Sequence, residues 1–133
     1  MSLNLLQDLY LHDARCNQLA NEISRGSAQN IWLKGASGSV QQFITGSILS
    51  LIQGFNHIII LDDPEDAAYF HNSLENLSGA LDIFYFPSSF KTKKNFSVLN
   101  PSHVMLRTEA LTKIAVGTNK KVLVTYPEAL LEK

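Results

Sequence analysis

The sequence predicts an α/β fold: a three-layer arrangement in which a mostly parallel sheet of about four strands carries helices on both faces. Three observations point there. Apolar runs at 30–33, 57–61, 81–86 and 121–125 are continuous rather than alternating, as strands buried on both faces require. Segments of helical periodicity at 40–53, 64–77 and 102–116 separate these runs, the pattern of parallel βαβ crossovers. A Gly/Ser-rich turn joins the first strand candidate to the first of those helices.

Taken in order, residues 4–23 carry Leu5, Leu6, Leu9, Leu19, Ala20 and Ile23 at mostly helical spacing, and Ser24-Arg25-Gly26-Ser27 closes the pattern. This predicts a leading helix within residues 1–28, ahead of a lobe formed by 29–133. Ile31, Trp32 and Leu33 supply the first strand, and the helix after it opens near Val40. Asp63-Pro64-Glu65-Asp66 places a cap, a first-turn proline and two acids at the start of the next helix. From Pro127 another helix begins and no strand returns. The chain is therefore expected to be a piece of something longer.

The bulk composition narrows the classes. At 133 residues the chain is one domain's worth of sequence, with 45% hydrophobic and 17% charged residues, a globular rather than a disordered balance. A net charge of −1 gives no broad pull toward nucleic acid or anionic membrane. No apolar run approaches the roughly 18 residues of a membrane helix, and no signal pattern opens the chain. The lone Cys16 rules out an internal disulfide framework and reads as a buried structural thiol. These features lead to the expectation of a soluble, cytoplasmic protein without a membrane partner.

Residues 35–42, Gly-Ala-Ser-Gly-Ser-Val-Gln-Gln, stand where a phosphate-binding loop would be. The loop G-x-x-x-x-G-K-[ST] requires a strand before it and a helix after it. Gly35 fills its first position, but Val40 replaces the second glycine, Gln41 the lysine and Gln42 the Mg²⁺-binding hydroxyl. The lysine supplies charge to the β- and γ-phosphates and the hydroxyl holds the metal, so the chemistry of the loop is missing. Gly35, Gly38, Ser39, Gln41 and Gln42 mark a vestigial phosphate loop, with no cofactor expected on it. An ordinary Gly/Ser-rich strand–helix turn explains the same residues and stays open.

Other chemistry is sparse. Ile58-Ile59-Ile60-Leu61-Asp62-Asp63 resembles a Walker B element, but Asp63 is better explained as a helix cap. His12, His57, His71 and His103 lack metal-ligand spacing, so no metal site is expected. Ser88 and Ser89 lack a G-x-S-x-G elbow. The stretch 86–96 mixes Phe86, Phe90 and Phe96 with Lys91, Lys93 and Lys94 beyond the carboxyl end of a strand, where open α/β sheets bind ligands. Aromatics stack on bases while lysines track phosphates, which makes Lys91, Lys93, Lys94 and Phe90 nucleic-acid candidates; a solvated loop pinned by its Phe residues is the alternative. No catalytic residue is expected.

The order of these elements resembles the N-terminal module of the bacterial transcription-repair coupling factors, the Mfd family, which is similar to the excision-repair protein UvrB. The resemblance rests on Trp32-Leu33-Lys34-Gly35-Ala36-Ser37-Gly38-Ser39, then Ile59-Ile60-Leu61-Asp62-Asp63-Pro64-Glu65-Asp66-Ala67-Ala68-Tyr69-Phe70 and Phe84-Tyr85-Phe86-Pro87-Ser88-Ser89-Phe90. Leu106-Arg107-Thr108-Glu109-Ala110-Leu111 and Val122-Leu123-Val124-Thr125-Tyr126-Pro127-Glu128-Ala129-Leu130 complete it. It covers nearly the whole chain, and it implies that the chain is the N-terminal piece of a multidomain protein. It implies a RecA-like, P-loop-type subdomain whose phosphate loop is a degenerate copy of the ATP site of UvrB. It further implies a parent ATP-dependent DNA translocase that displaces stalled RNA polymerase from double-stranded DNA and recruits UvrA. ATP and Mg²⁺ would then belong to motor domains downstream, and the partners of this segment would be other domains of its own chain. UvrB carries a long aromatic hairpin that inserts into DNA; the stretch from Pro87 to Ser102 is too short for it, so that hairpin is expected to be absent or reduced. Two rivals stay open: a working nucleotide-binding helicase lobe that borrows Lys34 for its charge, and a DNA-binding module acting through the Lys/Phe stretch.

Overall fold

The computed structural model describes residues 3–52, 54–77, 82–92, 95–117 and 120–132, with backbone alone at 91, 92 and 95–97. Among them lie six helices: α1 (Leu3–Leu11), α2 (Ala14–Ser24), α3 (Val40–Leu51), α4 (Pro64–Leu77), α5 (Pro101–Val116) and α6 (Pro127–Leu131). Five strands accompany them: β1 (His57–Ile60), β2 (Asp82–Tyr85), β3 (Phe90–Thr92), β4 (Asn95–Leu99) and β5 (Lys121–Thr125). The class is α/β, as expected. No helix among the described residues is long and apolar enough to cross a membrane.

The chain divides into two compact units, the first holding α1, α2 and α3, the second holding the strands, α5, α6 and α4 as far as Glu75. In the first unit the single leading helix of the sequence reading is two helices. The chain breaks at His12-Asp13 because the Asp13 carboxylate accepts the Arg15 backbone N–H at 2.8 Å and caps α2. Both helices pack on α3. Tyr10 stacks on Phe43 with ring centroids 5.2 Å apart, and the buried Gln7 donates to Ser47 Oγ at 2.8 Å. Cys16 and Ala20 of α2 and Leu49 of α3 are buried.

The strand expected at 30–33 does not form. Those residues take up no regular secondary structure, and Trp32 is 87% exposed. A run of three apolar residues becomes a strand only where a neighbour takes up its backbone groups, and no described strand lies beside it.

In the second unit three parallel strands run in the order β1-β5-β2, so the sheet has three members rather than four. His57 stands beside Val122 and Ile60 beside Thr125 on one side of β5; Asp82 stands beside Lys121 and Tyr85 beside Val124 on the other. The central β5 is buried at every residue, as its continuous apolar run requires. The edge strand β1 departs from that expectation: Ile58 and Ile60 are 64% and 56% exposed, so only one of its faces is covered. On the opposite edge two side chains link α4 to β2: the His71 ring lies 3.3 Å from the Ile83 carbonyl and Tyr85 Oη donates to the Pro64 carbonyl at 3.4 Å. At the start of β5 the buried Lys121 ammonium pairs with Asp82, and the Lys121 N–H donates to Asn56 Oδ1.

Within the stretch 86–96, read from sequence as a loop, strands form: β3 pairs antiparallel with β4, Phe90 opposite Leu99 and Thr92 opposite Asn95. Asn100 then caps α5 by accepting from the N–H groups of Ser102 and His103, and Pro101 occupies the first turn.

Candidate functional site

The glycine-rich loop of the first unit is built by local conformation. Gly35 (φ 83°) and Gly38 (φ 56°) both adopt the left-handed region that side-chain-bearing residues rarely enter. A Cβ at either would meet nothing, so backbone angle and not crowding calls for glycine there. Ser39 leads into α3 without a side-chain cap bond. The first amides of the helix are already engaged: Val40 N–H donates to the Ser37 carbonyl and Gln41 N–H to the Gly38 carbonyl, each at 3.3 Å.

Gln41 and Gln42 then close the loop on itself. Gln41 Nε2 donates to the Ala36 carbonyl at 3.1 Å. Gln42 is buried, and with its amide nitrogen turned toward the loop it donates to the Gly38 and Ser39 carbonyls at 3.3 and 3.1 Å. A phosphate cradle points unpaired N–H groups outward at its ligand. Here the side chains at the lysine and hydroxyl positions bind the loop's own carbonyl groups.

Beside this loop lies a cavity of about 260 Å³, lined by Tyr10, Asp13, Arg15, Cys16 and Leu19, by Leu33, Lys34, Gly35 and Ala36, and by Val40 and Ile44 of α3. Its charges are largely spent. Arg15 donates to both Asp13 carboxylate oxygens, at 3.1 and 2.8 Å, and that bond above all holds the Asp13 carboxyl down at about 2. Burial pushes the Cys16 thiol up, away from the thiolate that nucleophilic chemistry needs. Lys34, the proposed substitute for the missing lysine, lines this cavity.

The remaining candidates fall apart. Asp63 accepts the Asp66 N–H at 2.8 Å and caps α4, as read from sequence, while Asp62 is exposed. Among the described residues no group of three His, Cys, Asp or Glu side chains could hold a metal ion. The histidines are separate: His12 bonds the Asp8 carbonyl, His71 meets Ile83, and His103 meets Ser88. Lys93 and Lys94 lie outside the described residues, and the Lys91 and Phe96 side chains are likewise not described. Phe90 is half-buried at the start of β3.

A denser arrangement, not anticipated from sequence, sits at the carboxyl ends of β2 and β5. Phe86 N–H donates to the Val124 carbonyl and Thr125 Oγ1 to the Phe86 carbonyl, which extends the β2–β5 pairing into the next loop. Ser88 N–H donates to Tyr126 Oη at 2.7 Å, and His103 Nδ1 lies 2.9 Å from the Ser88 carbonyl. Arg107 on α5 donates through one terminal nitrogen to the carbonyls of Pro87 and Ala129, at 3.0 and 2.9 Å, with its guanidinium 4.1 Å from the centre of the Phe86 ring. Glu132, just beyond α6, accepts on Oε2 from Ser88 Oγ at 2.8 Å and Ser89 N–H at 2.9 Å, and its Oε1 lies 3.8 Å from Arg107 Nε. Burial alone would raise the Glu132 carboxyl, but the two serine bonds and Arg107 outweigh it and hold the group below its usual value.

The signal for this cluster was present but dispersed. Phe86-Pro87-Ser88-Ser89, Leu106-Arg107 and Tyr126-Pro127-Glu128-Ala129 are three of the segments that carried the resemblance, and the fold brings them to one place. The chain matches no family model, no curated protein and no solved structure.

Proposed function

We propose that this chain is a non-catalytic scaffold lobe, a UvrB-like module of a transcription-coupled DNA repair factor. In this reading it is a three-layer, RecA-like subdomain of P-loop type whose phosphate loop has lost its chemistry. The observation that carries the non-catalytic part is the pair of glutamines turned into their own loop: Gln41 on the Ala36 carbonyl and Gln42 on those of Gly38 and Ser39. Neither glutamine brings the charge that a triphosphate needs, and the Val40 and Gln41 amides are already engaged within the loop.

The repair assignment rests on the ordered resemblance, supported by the meeting of three of its segments around Arg107. The lobe's work would be to position neighbouring domains of its own chain in the cytoplasm. ATP, Mg²⁺, double-stranded DNA, RNA polymerase and UvrA would be engaged elsewhere in the parent. Exposed apolar side chains on β1, Ile58 and Ile60, suit a lobe that meets other domains.

Calorimetric titration of Mg·ATP into the chain tests this reading, with the Val40→Gly, Gln41→Lys, Gln42→Ser triple variant alongside. No heat from the native chain and saturable binding by the variant are the results expected. Tight, Mg²⁺-dependent binding by the native chain would restore the rival working nucleotide site.

A further inference from the structure

We propose that the rim of the sheet holds an anion-receptor site, formed by Ser88 Oγ, Ser89 N–H and Arg107, which the chain's own Glu132 carboxylate occupies in cis. Its external ligand is a carboxylate or phosphate group.

Three donors surround the Glu132 carboxylate. Two of them converge on one oxygen: Ser88 Oγ at 2.8 Å and Ser89 N–H at 2.9 Å from Glu132 Oε2. Arg107 stands behind the other oxygen. This is the donor set of an acid-recognition site: a backbone amide, a hydroxyl and a guanidinium in a place little exposed to water, where the side chains of Arg107 and Glu132 are 16% and 11% exposed.

None of these donors needs Glu132 to keep its place. Arg107 is fixed by the Pro87 and Ala129 carbonyls and by the Phe86 ring. The serine loop is fixed by Tyr126 Oη on the Ser88 N–H and by His103 on the Ser88 carbonyl. The Asn100 N–H also holds the Ser89 carbonyl, at 2.7 Å. Removing the Glu132 carboxylate therefore leaves a preorganised receptor with its donors aimed at an empty spot, and preorganisation is what makes a small anion bind.

The tether is short. Glu132 follows α6, a single turn and a half from Pro127 to Leu131, so its carboxylate acts as an intramolecular competitor. A side chain on so short a tether competes at millimolar effective concentration, which an external acidic group must exceed or match by further contacts.

The experiment titrates inorganic phosphate, and separately acetate, into the native chain, Glu132→Ala and Glu132→Gln, at constant ionic strength. The Ser88 and Ser89 amide signals are followed by NMR. Glu132→Ala should bind phosphate at least about tenfold more tightly than the native chain, with the largest shift at the Ser89 amide. Glu132→Gln, whose amide oxygen still fills the site, should stay near native, and adding Arg107→Gln to Glu132→Ala should abolish binding. Acetate binding as well as phosphate marks a general acid receptor; phosphate alone marks a phosphate receptor, and either supports the site. A folded Glu132→Ala chain that takes up neither anion overturns the proposal, as does a native chain that binds as tightly as the variant. Should Glu132→Ala lose its fold, phosphate must raise its melting temperature above that in chloride of equal ionic strength; failure to do so also overturns it.

Discussion

The loop at 35–39 and the loop at 86–89 hold their polar groups in opposite ways. In the first, every side-chain bond is local: Gln41 reaches Ala36, five residues back, and the conformation is set by two left-handed glycines. In the second, Ser88 and Ser89 draw on Glu132, Tyr126 and His103, up to 44 residues distant, and Arg107 ties the loop to α6. The loop that resembles a motif is chemically closed and energetically slight. The loop with no motif of its own is the one on which α5 and the residues flanking α6 converge.

The difference can be broken most severely at Arg107. Arg107→Ala removes the donor to two carbonyls and leaves the little-exposed Glu132 carboxylate without its cation, at a cost of about 3 kcal/mol. A urea unfolding midpoint unchanged from the native chain would show that the rim is not a stabilising centre. Tyr126→Phe keeps the buried ring but takes away the acceptor of the Ser88 N–H, and should cost about 1–2 kcal/mol in the same measurement. In the first unit, Gln41→Ala loses one exposed bond to the Ala36 carbonyl and should cost about 0.5 kcal/mol. If it cost as much as Arg107→Ala, the contrast between the two loops would fail.

A gentler effect comes from β1. His57 Nε2 is buried without a hydrogen-bond partner, and burial, helped by the nearby Lys120 ammonium, lowers the His57 pKa from 6.5. Above that value the folded and unfolded chains both hold a neutral ring. As pH falls below it the unfolded chain takes up the proton first, so stability declines until pH has passed the lower folded-state value. His57→Phe should flatten this decline in a series of melting temperatures; an unchanged slope would place its origin elsewhere.

What could be read from the sequence follows the same division between local and distant partners. α4 begins at Pro64 and ends at Leu77 as expected, because Asp63, Pro64, Glu65 and Asp66 carry their own start signal. β5 was legible because burial on both faces leaves a continuous apolar run. The break between α1 and α2 was hidden because Asp13 caps within an otherwise helical spacing. The strand at 30–33 was over-read because its apolar residues say nothing about whether a neighbour exists. The rim cluster depends on partners up to 44 residues apart, which no local window contains. At the glycine-rich loop the residues told what was missing, a lysine and a hydroxyl; only the fold places Gln41 and Gln42 on the loop carbonyls.

The most direct test of a closed, non-catalytic loop is to follow the backbone amides of residues 38–42 by NMR while Mg·ATP is added to the native chain at millimolar concentration. These signals should stay where they are. Saturable shifts confined to those amides, and dependent on Mg²⁺, would contradict it.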